Sequence, residues 1–353
     1  MALIRAFWHG GALSPYEVLC LTSFVHHGHA TELYSYDSGL TVPPGVVLRD
    51  AAEVLPRSRV YFYANGLGAG SIAGFTNLFR YTLLARSPGW WVDCDVICLR
   101  PDLPEAPVFC AWEGPDHALV GNAILKLPPD DPLLAAMLAD RDAFDPGQSW
   151  GTSGPWLLTK ALRAAGRQAE VQEWPAAYPW HFTRAFDVFD PAEAETGARA
   201  AQGAAFQHLW NEMFNCAGMN KLLAPPEGSY LDRLCREHGV AFPSTLRLRP
   251  KDLHRQARAT HAAQQWEHAQ AELARLRDLL DQAEAGQARL LALLEKFEAL
   301  AMAERHETAR WRKAHQSEVR LRQAATALHD AVEARLEVAE APIWRRWLRL
   351  GRA

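Results

Sequence analysis

The 353-residue sequence has few cysteines, no secretory pattern at its start and no long apolar run. None of its six cysteines forms a C-x-x-C pair, so a cysteine-based metal site is not indicated. No stretch approaches the length of a membrane-spanning helix, about 18 apolar residues. From these absences we expect reduced, mostly buried thiols in a cytoplasmic protein.

Strong positive charge is also missing from the sequence. The net charge is −4; residues 1–250 carry 19 basic and 26 acidic side chains, and residues 251–353 carry 18 and 15. Proteins that bind nucleic acids gain affinity by neutralising phosphates with a basic surface. We therefore expect no nucleic-acid partner, and the change of balance near residue 250 indicates two different regions.

Proline and glycine are almost absent from the last hundred residues. Of 22 prolines only Pro342 follows Pro250, and Gly286 is the one glycine between these two prolines. Because both residue types interrupt helices, their absence predicts a long helical region. We divide the chain into an α/β domain at residues 1–250, an all-α, coiled-coil-like extension at 251–341 and a terminal segment at 342–353.

The extension contains two apolar stripes at heptad spacing, a pattern typical of coiled coils. The first stripe is Leu273, Leu276, Leu280, Ala283, Gln287, Leu290, Leu294, Phe297 and Ala301, and the second is Leu321, Ala325, Leu328, Val332 and Leu336. They predict either an antiparallel hairpin or a coil that joins copies of the chain into a homo-oligomer. An amphipathic helix folded back on the first domain is the remaining alternative.

The terminal segment, PIWRRWLRLGRA, carries four arginines, no acidic residue and two tryptophans. A basic segment with aromatic side chains can lie at an anionic membrane surface, which predicts a peripheral contact at the inner face of a membrane. Because the segment is short, a structural chain end or a subunit contact is an equally good interpretation.

The first domain opens with alternating elements. Residues 3–8 and 31–36 are predicted strands, and residues 14–25 between them are a predicted helix with Ser14 as its N-cap and Pro15 in its first turn. Further strands are predicted at 46–48 and 60–63. A strand, a helix and a second strand in so short a stretch are typical of a parallel α/β sheet.

A predicted helix over residues 71–85 places Asn77 and Arg80 one turn apart on one face. The next stretch, WWVDCDVICL at 90–99, is apolar except for Asp93 and Asp95, and we predict one strand in which both carboxylates project to one face. Two carboxylates in a buried strand are costly unless they bind a cation or end at a site. Such a pair can hold a divalent ion that neutralises a diphosphate leaving group.

The string FTNLFRYTLLARSPGWWVDCDVICLRP, residues 75–101, resembles the core motif of the DXD-type sugar transferases with a GT-A fold. This group includes mannosyltransferases, α-1,4-galactosyltransferases and the glucosyltransferase domains of clostridial toxins. The motif positions in register are Arg80, Tyr81, Gly89, Trp91, Asp93 and Asp95. Residues 8–37, Gly154-Pro155 and residues 208–214 also resemble segments of the family, so that the resemblance covers about residues 1–245.

The resemblance implies a GT-A-type, Rossmann-like nucleotide-sugar domain and a metal-dependent, retaining glycosyltransferase. The implied donor is a UDP- or GDP-sugar, and the acceptor is a glycan of the polysaccharide or lipopolysaccharide type or another hydroxyl compound. Mn²⁺ or Mg²⁺ would be held by Asp95 and Asp93 with His208. Asp93, Asp95 and Arg80 are the implied catalytic residues. The implied donor contacts are Trp8, Asn77, Tyr81, Trp91, Trp210 and Asn211, and the acceptor-side candidates are Asn122 and Ser153.

Several alternatives remain open at this point. Arg80 could form a structural ion pair with a strand carboxylate, Trp8 could be core, and His208 could be structural. Asn77 stands where the family has aspartate, which would suit a coiled-coil scaffold of glycan assembly with a decayed site. A haloacid-dehalogenase-like phosphatase also uses D-x-D, but it needs the pair after the first strand.

Overall fold

The computed structural model describes residues 1–64, 68–148, 150–249, 251–253, 255, 283, 286–296, 317–331 and 333. Two compact units divide the chain, one over residues 1–261 and one over residues 262–353. Leu253 is buried in the core of the first unit, beyond the boundary that we predicted at residue 250.

The first unit is a mixed α/β structure with a mainly parallel central sheet. The strands are β1 Leu3–Phe7, β2 Ala30–Ser35, β3 Val46–Asp50, β4 Trp90–Val92, β5 Val96–Cys98, β6 Phe109–Trp112, β7 Val120–Lys126 and β8 Phe206–His208. The central sheet has the order β3-β2-β1-β4-β7-β6, in which the first four strands are parallel, β7 is antiparallel to β4, and β6 is antiparallel to β7. β5 and β8 pair antiparallel in a second, small sheet.

The helices of this unit cover both faces of the central sheet. They are α1 Pro15–His26, α2 Ala73–Arg86, α3 Pro132–Ala139, α4 Leu157–Ala164, α5 Ala194–Ala200, α6 Asn211–Cys216 and α7 Tyr230–Glu237. α2, α3 and α4 pack on one face, and α1 packs on the other. A third cluster joins α1 to α5, α6 and α7. Side chains of a strand alternate between two faces, so strands covered on both sides are apolar throughout, as β4 is.

The first strand–helix–strand unit follows the sequence prediction. Ser14 caps α1, its side chain accepting from the helix N-terminus while Glu17 accepts from the Ser14 backbone N–H, so the two residues form a capping box. Phe75, Phe79 and Leu83 of α2 are buried in one cluster, as their helical spacing predicts.

The predicted strand at residues 60–63 is wrong. This stretch is a loop whose backbone groups are used locally, because Tyr63 N–H donates to Ser71 O and its carbonyl accepts from Gly70 N–H. Val60 and Tyr61 pack against the α2 side of the core. The apolar and aromatic character of this stretch therefore reflects packing under α2 and not membership of the sheet.

In the second unit, residues 286–296 and 317–331 are helical. Leu290, Leu294, Leu321 and Ala325, which belong to the two predicted stripes, line a common cleft between these stretches. This contact within one chain suits the hairpin interpretation, whereas the coiled coil and the oligomer stay predictions. Most of the first stripe and all of 342–353 lie outside the described residues. Among the helices that the structure describes, none has the length and apolar character needed to cross a membrane.

Candidate active site

The two carboxylates of the D-x-D motif lie on a turn where β4 ends. β4 stops at Val92, β5 begins at Val96, and Val96 N–H donates to the Asp93 carbonyl across 3.1 Å. The prediction of one strand over residues 90–99 is therefore wrong, because β4 pairs in the central sheet and β5 pairs with β8. The turn keeps the two carboxylates out of the buried strand pairing of the central sheet. It also places them at the carboxyl end of a parallel strand, where α/β sheets bind ligands.

Asp93 is held by α2 and by its own strand. Arg80 Nη2 donates to Asp93 Oδ1 across 2.5 Å, and Trp91 Nε1 donates to the same oxygen across 2.7 Å. The Arg80 guanidinium lies 4.8 Å from the centroid of the Trp91 ring. Burial raises the pKa of Asp93, and the guanidinium opposes that shift. Among the described residues, both side-chain hydrogen bonds to Asp93 end on Oδ1.

Arg80 also links Asp93 to a buried network of neutral groups. Arg80 Nη1 and Asn122 Nδ2 both donate to Asn77 Oδ1, and Asn77 Nδ2 donates to Ser153 Oγ across 3.0 Å. Each of these four side chains is buried. Asn77 thus uses its amide within the protein, and the acceptor-side candidates Asn122 and Ser153 lie behind it in the same network.

Three residues that we predicted to contact the donor, Tyr81, Trp91 and Trp8, lie in different surroundings. Tyr81 and Trp91 are fully buried, and their polar atoms point inward: Tyr81 Oη accepts from Asn122, and Trp91 Nε1 donates to Asp93. Trp8 is half-buried just after β1 and donates from Nε1 to Gly11 O. No described contact joins Trp8 to the carboxylates, so the structure does not bring it together with them.

Asp95 is held by a segment far along the chain. His208 Nε2 lies 3.1 Å from Asp95 Oδ2, and Asn211 N–H donates to the same oxygen across 2.8 Å. Burial raises the pKa of Asp95 and lowers that of His208, but the interactions that favour the charged forms, led by the pairing of the two residues, together shift both pKa values the other way. The backbone N–H of Asn211 adds to the lowering of the Asp95 pKa.

Asp93, Asp95 and His208 form a group that could hold a metal ion. One ligand atom from each residue lies within 4.8 Å of the other two. His208 Nδ1 is buried without a hydrogen-bond partner among the described residues. Two carboxylates and an imidazole suit Mn²⁺, and the carboxylates also suit Mg²⁺. The donor set therefore fits a divalent ion.

Trp210 lies over this group in a strained backbone conformation. Its φ is 58° and its ψ is 51°, the left-handed region that a tryptophan rarely adopts. Its ring centroid is 4.2 Å from that of His208 and 5.4 Å from that of Tyr178, and Nε1 donates to Trp180 O across 2.8 Å. This packing holds the strained conformation and keeps the indole against His208, one member of the metal-binding group.

Two charged residues next to Asp95 were missed by sequence reasoning. Lys221 Nζ donates to Glu17 Oε1 across 2.7 Å and to Asn211 Oδ1 across 3.2 Å, and Asn211 Nδ2 donates to Glu17 Oε1. Asn211 therefore joins this pair to Asp95. The S-x-x-E spacing of Ser14 and Glu17 signals a capping box, but nothing in the sequence pairs Glu17 with a lysine more than 200 positions later.

Glu113 and Tyr178 were also missed. Both interact electrostatically with the metal-binding group. The charges of Glu113 and Asp93 each shift the pKa of His208 and that of Tyr178. Burial raises the pKa of Glu113 to about 7, with His208 opposing the shift and Asp116 adding to it. Burial also holds the pKa of Tyr178 well above its usual range. No motif marks either residue in the sequence.

No protein-family profile matches the sequence. Among solved structures the chain is similar to one called PaToxG Glycosyltransferase, with a TM-score of 0.35 and 14% sequence identity. That similarity covers 47% of this chain and 68% of the other.

Proposed function

We propose that this chain is a metal-dependent glycosyltransferase of the GT-A type, which moves a sugar from a nucleotide sugar to a hydroxyl acceptor with retention at the anomeric carbon. One observation carries the proposal: Asp93, Asp95 and His208, which the family resemblance selects from distant parts of the sequence, converge within 4.8 Å at the end of a parallel strand. The order β3-β2-β1-β4, with all four strands parallel, provides a nucleotide-binding half for such a site.

The metal-binding residues have separate tasks in this proposal. Asp95 and His208 supply ligand atoms, and we assign to Asp93 Oδ2 the third ligand position, because Arg80 and Trp91 hold Oδ1. A bound Mn²⁺ or Mg²⁺ would neutralise the diphosphate as its bond to the sugar breaks. Asn211 N–H fixes the Asp95 carboxylate, so the ligand atoms are oriented before substrate arrives.

The remaining residues position the donor. Trp210 covers the metal-binding group with an indole that excludes water from the diphosphate, and Trp8 at the end of β1 offers a half-exposed ring to the nucleotide base. Arg80 already pairs with Asp93, which is the structural ion pair considered above. We assign to Arg80 and Asn77 the orientation of Asp93, and to Lys221, 19% exposed, a charge near the diphosphate.

Retention follows from entry of the acceptor on the face that the diphosphate leaves. The acceptor hydroxyl oxygen bonds to the anomeric carbon while the bond from that carbon to the diphosphate breaks. The electron pair leaves on the diphosphate, which also takes the hydroxyl proton, and the site stabilises the departing charge. An NMR assignment of the product anomer checks this part of the proposal, and an inverted product would contradict it.

The test of the activity is a screen of UDP- and GDP-sugars with Mn²⁺, read both as nucleotide release and as binding by calorimetry. We expect the protein to bind Mn²⁺ with nucleotide and to hydrolyse at least one donor. Asp95→Asn should keep the Asn211 hydrogen bond but weaken Mn²⁺ binding at least tenfold. Loss of a residue that only orients a metal ligand typically lowers metal affinity about 10-fold to 100-fold, and loss of a ligand should lower it at least as much. Exposed Asp130→Asn is the matched control and should leave binding unchanged.

The same screen distinguishes the alternatives. If neither Mn²⁺ nor any donor binds and Asp95→Asn changes nothing, the transferase proposal fails and the scaffold interpretation is favoured. The phosphatase is disfavoured by position, because the carboxylate pair follows β4 and not β1. Membrane contact through residues 342–353 stays a separate prediction, which liposome flotation with and without those residues would test.

A further inference from the structure

Trp150 and Trp156 are the two exposed tryptophans of the described part of the chain. Trp150 is 47% exposed and Trp156 is 60% exposed, whereas every other tryptophan among the described residues is buried or half-buried. A large apolar side chain that is exposed singly is common and needs no explanation. Two such side chains on one short segment form an apolar patch, and a patch of this kind marks a binding surface.

Gly151 holds the two indoles on one turn. Its φ is 89°, in the left-handed region that favours glycine, and its carbonyl accepts from Gly154 N–H across 3.0 Å and from Trp156 N–H across 3.4 Å. A Cβ at Gly151 would lie 3.3 Å from Trp156 Cδ1, and a Cβ at Gly68 would lie 2.5 Å from Trp150 Cδ1. Each indole therefore packs against a glycine backbone and stays largely exposed.

The turn that carries the two tryptophans is anchored to the side chains that hold Asp93. Asn77 Nδ2 donates to Ser153 Oγ across 3.0 Å, and a Cβ at Gly154 would lie 2.9 Å from the same nitrogen. Asn77 Oδ1 accepts from Arg80, and Arg80 Nη2 donates to Asp93 Oδ1 across 2.5 Å. Only the side chains of Asn77 and Arg80 therefore separate this turn from the first carboxylate of the D-x-D motif.

The turn meets the site on the β7 side of the central sheet. A Cβ at Gly154 would lie 3.2 Å from Nδ2 of Asn122, which belongs to β7, and the carbonyl of the next residue, Ala123, accepts from Asp93 N–H across 2.8 Å. β7 and β1 lie on opposite sides of β4 in the sheet. Trp8, the proposed contact of the nucleotide base, follows β1. The two exposed tryptophans are therefore attached to the side of the site that the nucleotide does not use, where an acceptor can approach.

The charge around the tryptophans favours an uncharged partner. Residues 142–156 contain no lysine or arginine, and the two acidic residues among them, Asp142 and Asp145, are exposed. A surface that binds an anionic membrane needs basic side chains, which this segment lacks. A sugar ring has C–H groups on its faces and hydroxyls at its edges, so it can stack on an indole while its hydroxyls stay bonded to water or to polar side chains. Uncharged sugar units therefore fit this patch better than a membrane does.

We propose that Trp150 and Trp156 bind the acceptor, and that the acceptor is a glycan whose uncharged sugar units stack on the two indoles. The acceptor role rests on the proposed function, which requires only a hydroxyl group of the acceptor. The hydrogen bonds of Ser153 and Asn77 fix the turn relative to Asp93, so a glycan held on the indoles is oriented toward the metal-binding group. The two tryptophans determine which acceptor binds and take no part in making or breaking bonds.

The test titrates the full chain with uncharged tetrasaccharides of glucose, galactose and mannose in a calorimeter. We expect at least one of them to bind, and Trp150→Ala and Trp156→Ala each to weaken that binding about tenfold, in the lower range for loss of an aromatic side chain on which a nucleic-acid base stacks. Trp156→Phe keeps an aromatic ring, so it should retain most of the affinity and secures the result if an alanine variant folds poorly. Leu246→Ala is the control, because Leu246 is an exposed apolar residue in the segment that pairs with Ala224, and it should bind the tetrasaccharide as the unaltered protein does.

The outcomes separate this inference from the proposed function. A protein that binds Mn²⁺ and nucleotide but no tetrasaccharide, or whose tetrasaccharide affinity is the same in both alanine variants, overturns the inference and leaves the transferase proposal intact. Binding to vesicles of phosphatidylcholine and phosphatidylglycerol that is lost in both alanine variants overturns it in favour of a membrane contact. If the tetrasaccharide binds through the two tryptophans but neither Mn²⁺ nor any donor binds, the proposed function fails and the glycan site stands without it, as in the scaffold interpretation.

Discussion

Asp93 and Asp95 are two residues apart in the chain, yet different parts of the molecule hold them. The partners of Asp93 are Arg80 and Trp91, which lie within 13 residues of it on α2 and β4. The partners of Asp95 are His208 and the N–H of Asn211, the latter 116 residues away. One carboxylate belongs to a local strand–helix arrangement, and the other depends on a segment that must dock from the far end of the unit.

This difference assigns the two carboxylates different tasks. On the Asp93 side the partner is the Arg80 guanidinium, whose side chain is 3% exposed, so we assign this ion pair to the fold. On the Asp95 side the partner is the imidazole of His208, which we propose as a second ligand of the metal ion, and Lys221 and Glu17 support this segment through Asn211. We expect metal binding to stabilise the docked segment, because a ligand set completed only in the folded state couples binding to folding.

The largest effect on stability should come from Arg80→Met. The substitution leaves Asp93 beside Trp91 without its cation and removes a donor from Asn77. Removing one partner of a buried ion pair typically costs 3 to 5 kcal/mol, and because Asp93 is partly exposed we expect a loss of about 3 kcal/mol in the free energy of unfolding. Urea denaturation followed by circular dichroism measures this value.

The matched control for Arg80→Met is Arg49→Met, because Arg49 forms an exposed ion pair with Glu53. Exposed pairs contribute little, so this control should unfold at the urea concentration of the unaltered protein. If Arg80→Met and Arg49→Met lost the same free energy of unfolding, the ion pair of Arg80 with Asp93 would not be a stabilising part of the fold.

Local sequence patterns could predict the Asp93 side, whereas on the Asp95 side His208 and Asn211 were named only through the family resemblance, and Glu17 and Lys221 were missed. Asn77, Arg80 and Asp93 are close in sequence, and helical spacing places the first two on one face. The strand period gave a wrong result at residues 90–99, because periodicity does not register a chain that leaves one sheet for another. The pairing of Glu17 with Lys221 and the position of Glu113 depend on contacts across the whole fold, which local patterns do not contain.

An intermediate effect is expected from Glu17→Gln, which weakens the support of Asp95. Glu17 accepts from Lys221 and Asn211 through Oε1, and a neutral amide leaves the Lys221 charge without its partner. We expect a loss of about 2 kcal/mol in the free energy of unfolding, within the cost of breaking a charged hydrogen bond. Because Asn211 would be less well fixed, Mn²⁺ affinity should also fall about tenfold in calorimetry, as for other outer partners of metal ligands.

Glu53→Gln serves as the control for Glu17→Gln, since Glu53 is an exposed partner of Arg49 and lies on the β3 side of the unit. It should change neither stability nor Mn²⁺ affinity. An unchanged Mn²⁺ affinity in Glu17→Gln would show that Asp95 does not depend on the segment behind it, and the contrast between the two carboxylates would then be smaller than we infer.

The smallest effect should come from Ser14→Ala, which removes the cap of α1 without touching Glu17. Ser14 Oγ accepts from the helix N-terminus, whereas the bond from Ser14 to Glu17 Oε2 uses the backbone N–H and survives the substitution. Loss of such a cap typically costs about 1 kcal/mol, and we expect this loss in urea denaturation, while Ser14→Thr should retain most of the stability. Mn²⁺ affinity should be unchanged in both variants, because Glu17 still holds Lys221 and Asn211. A drop in Mn²⁺ affinity for Ser14→Ala would mean that the helix cap itself positions Asp95, and support for the Asp95 side would then extend into the first helix of the chain.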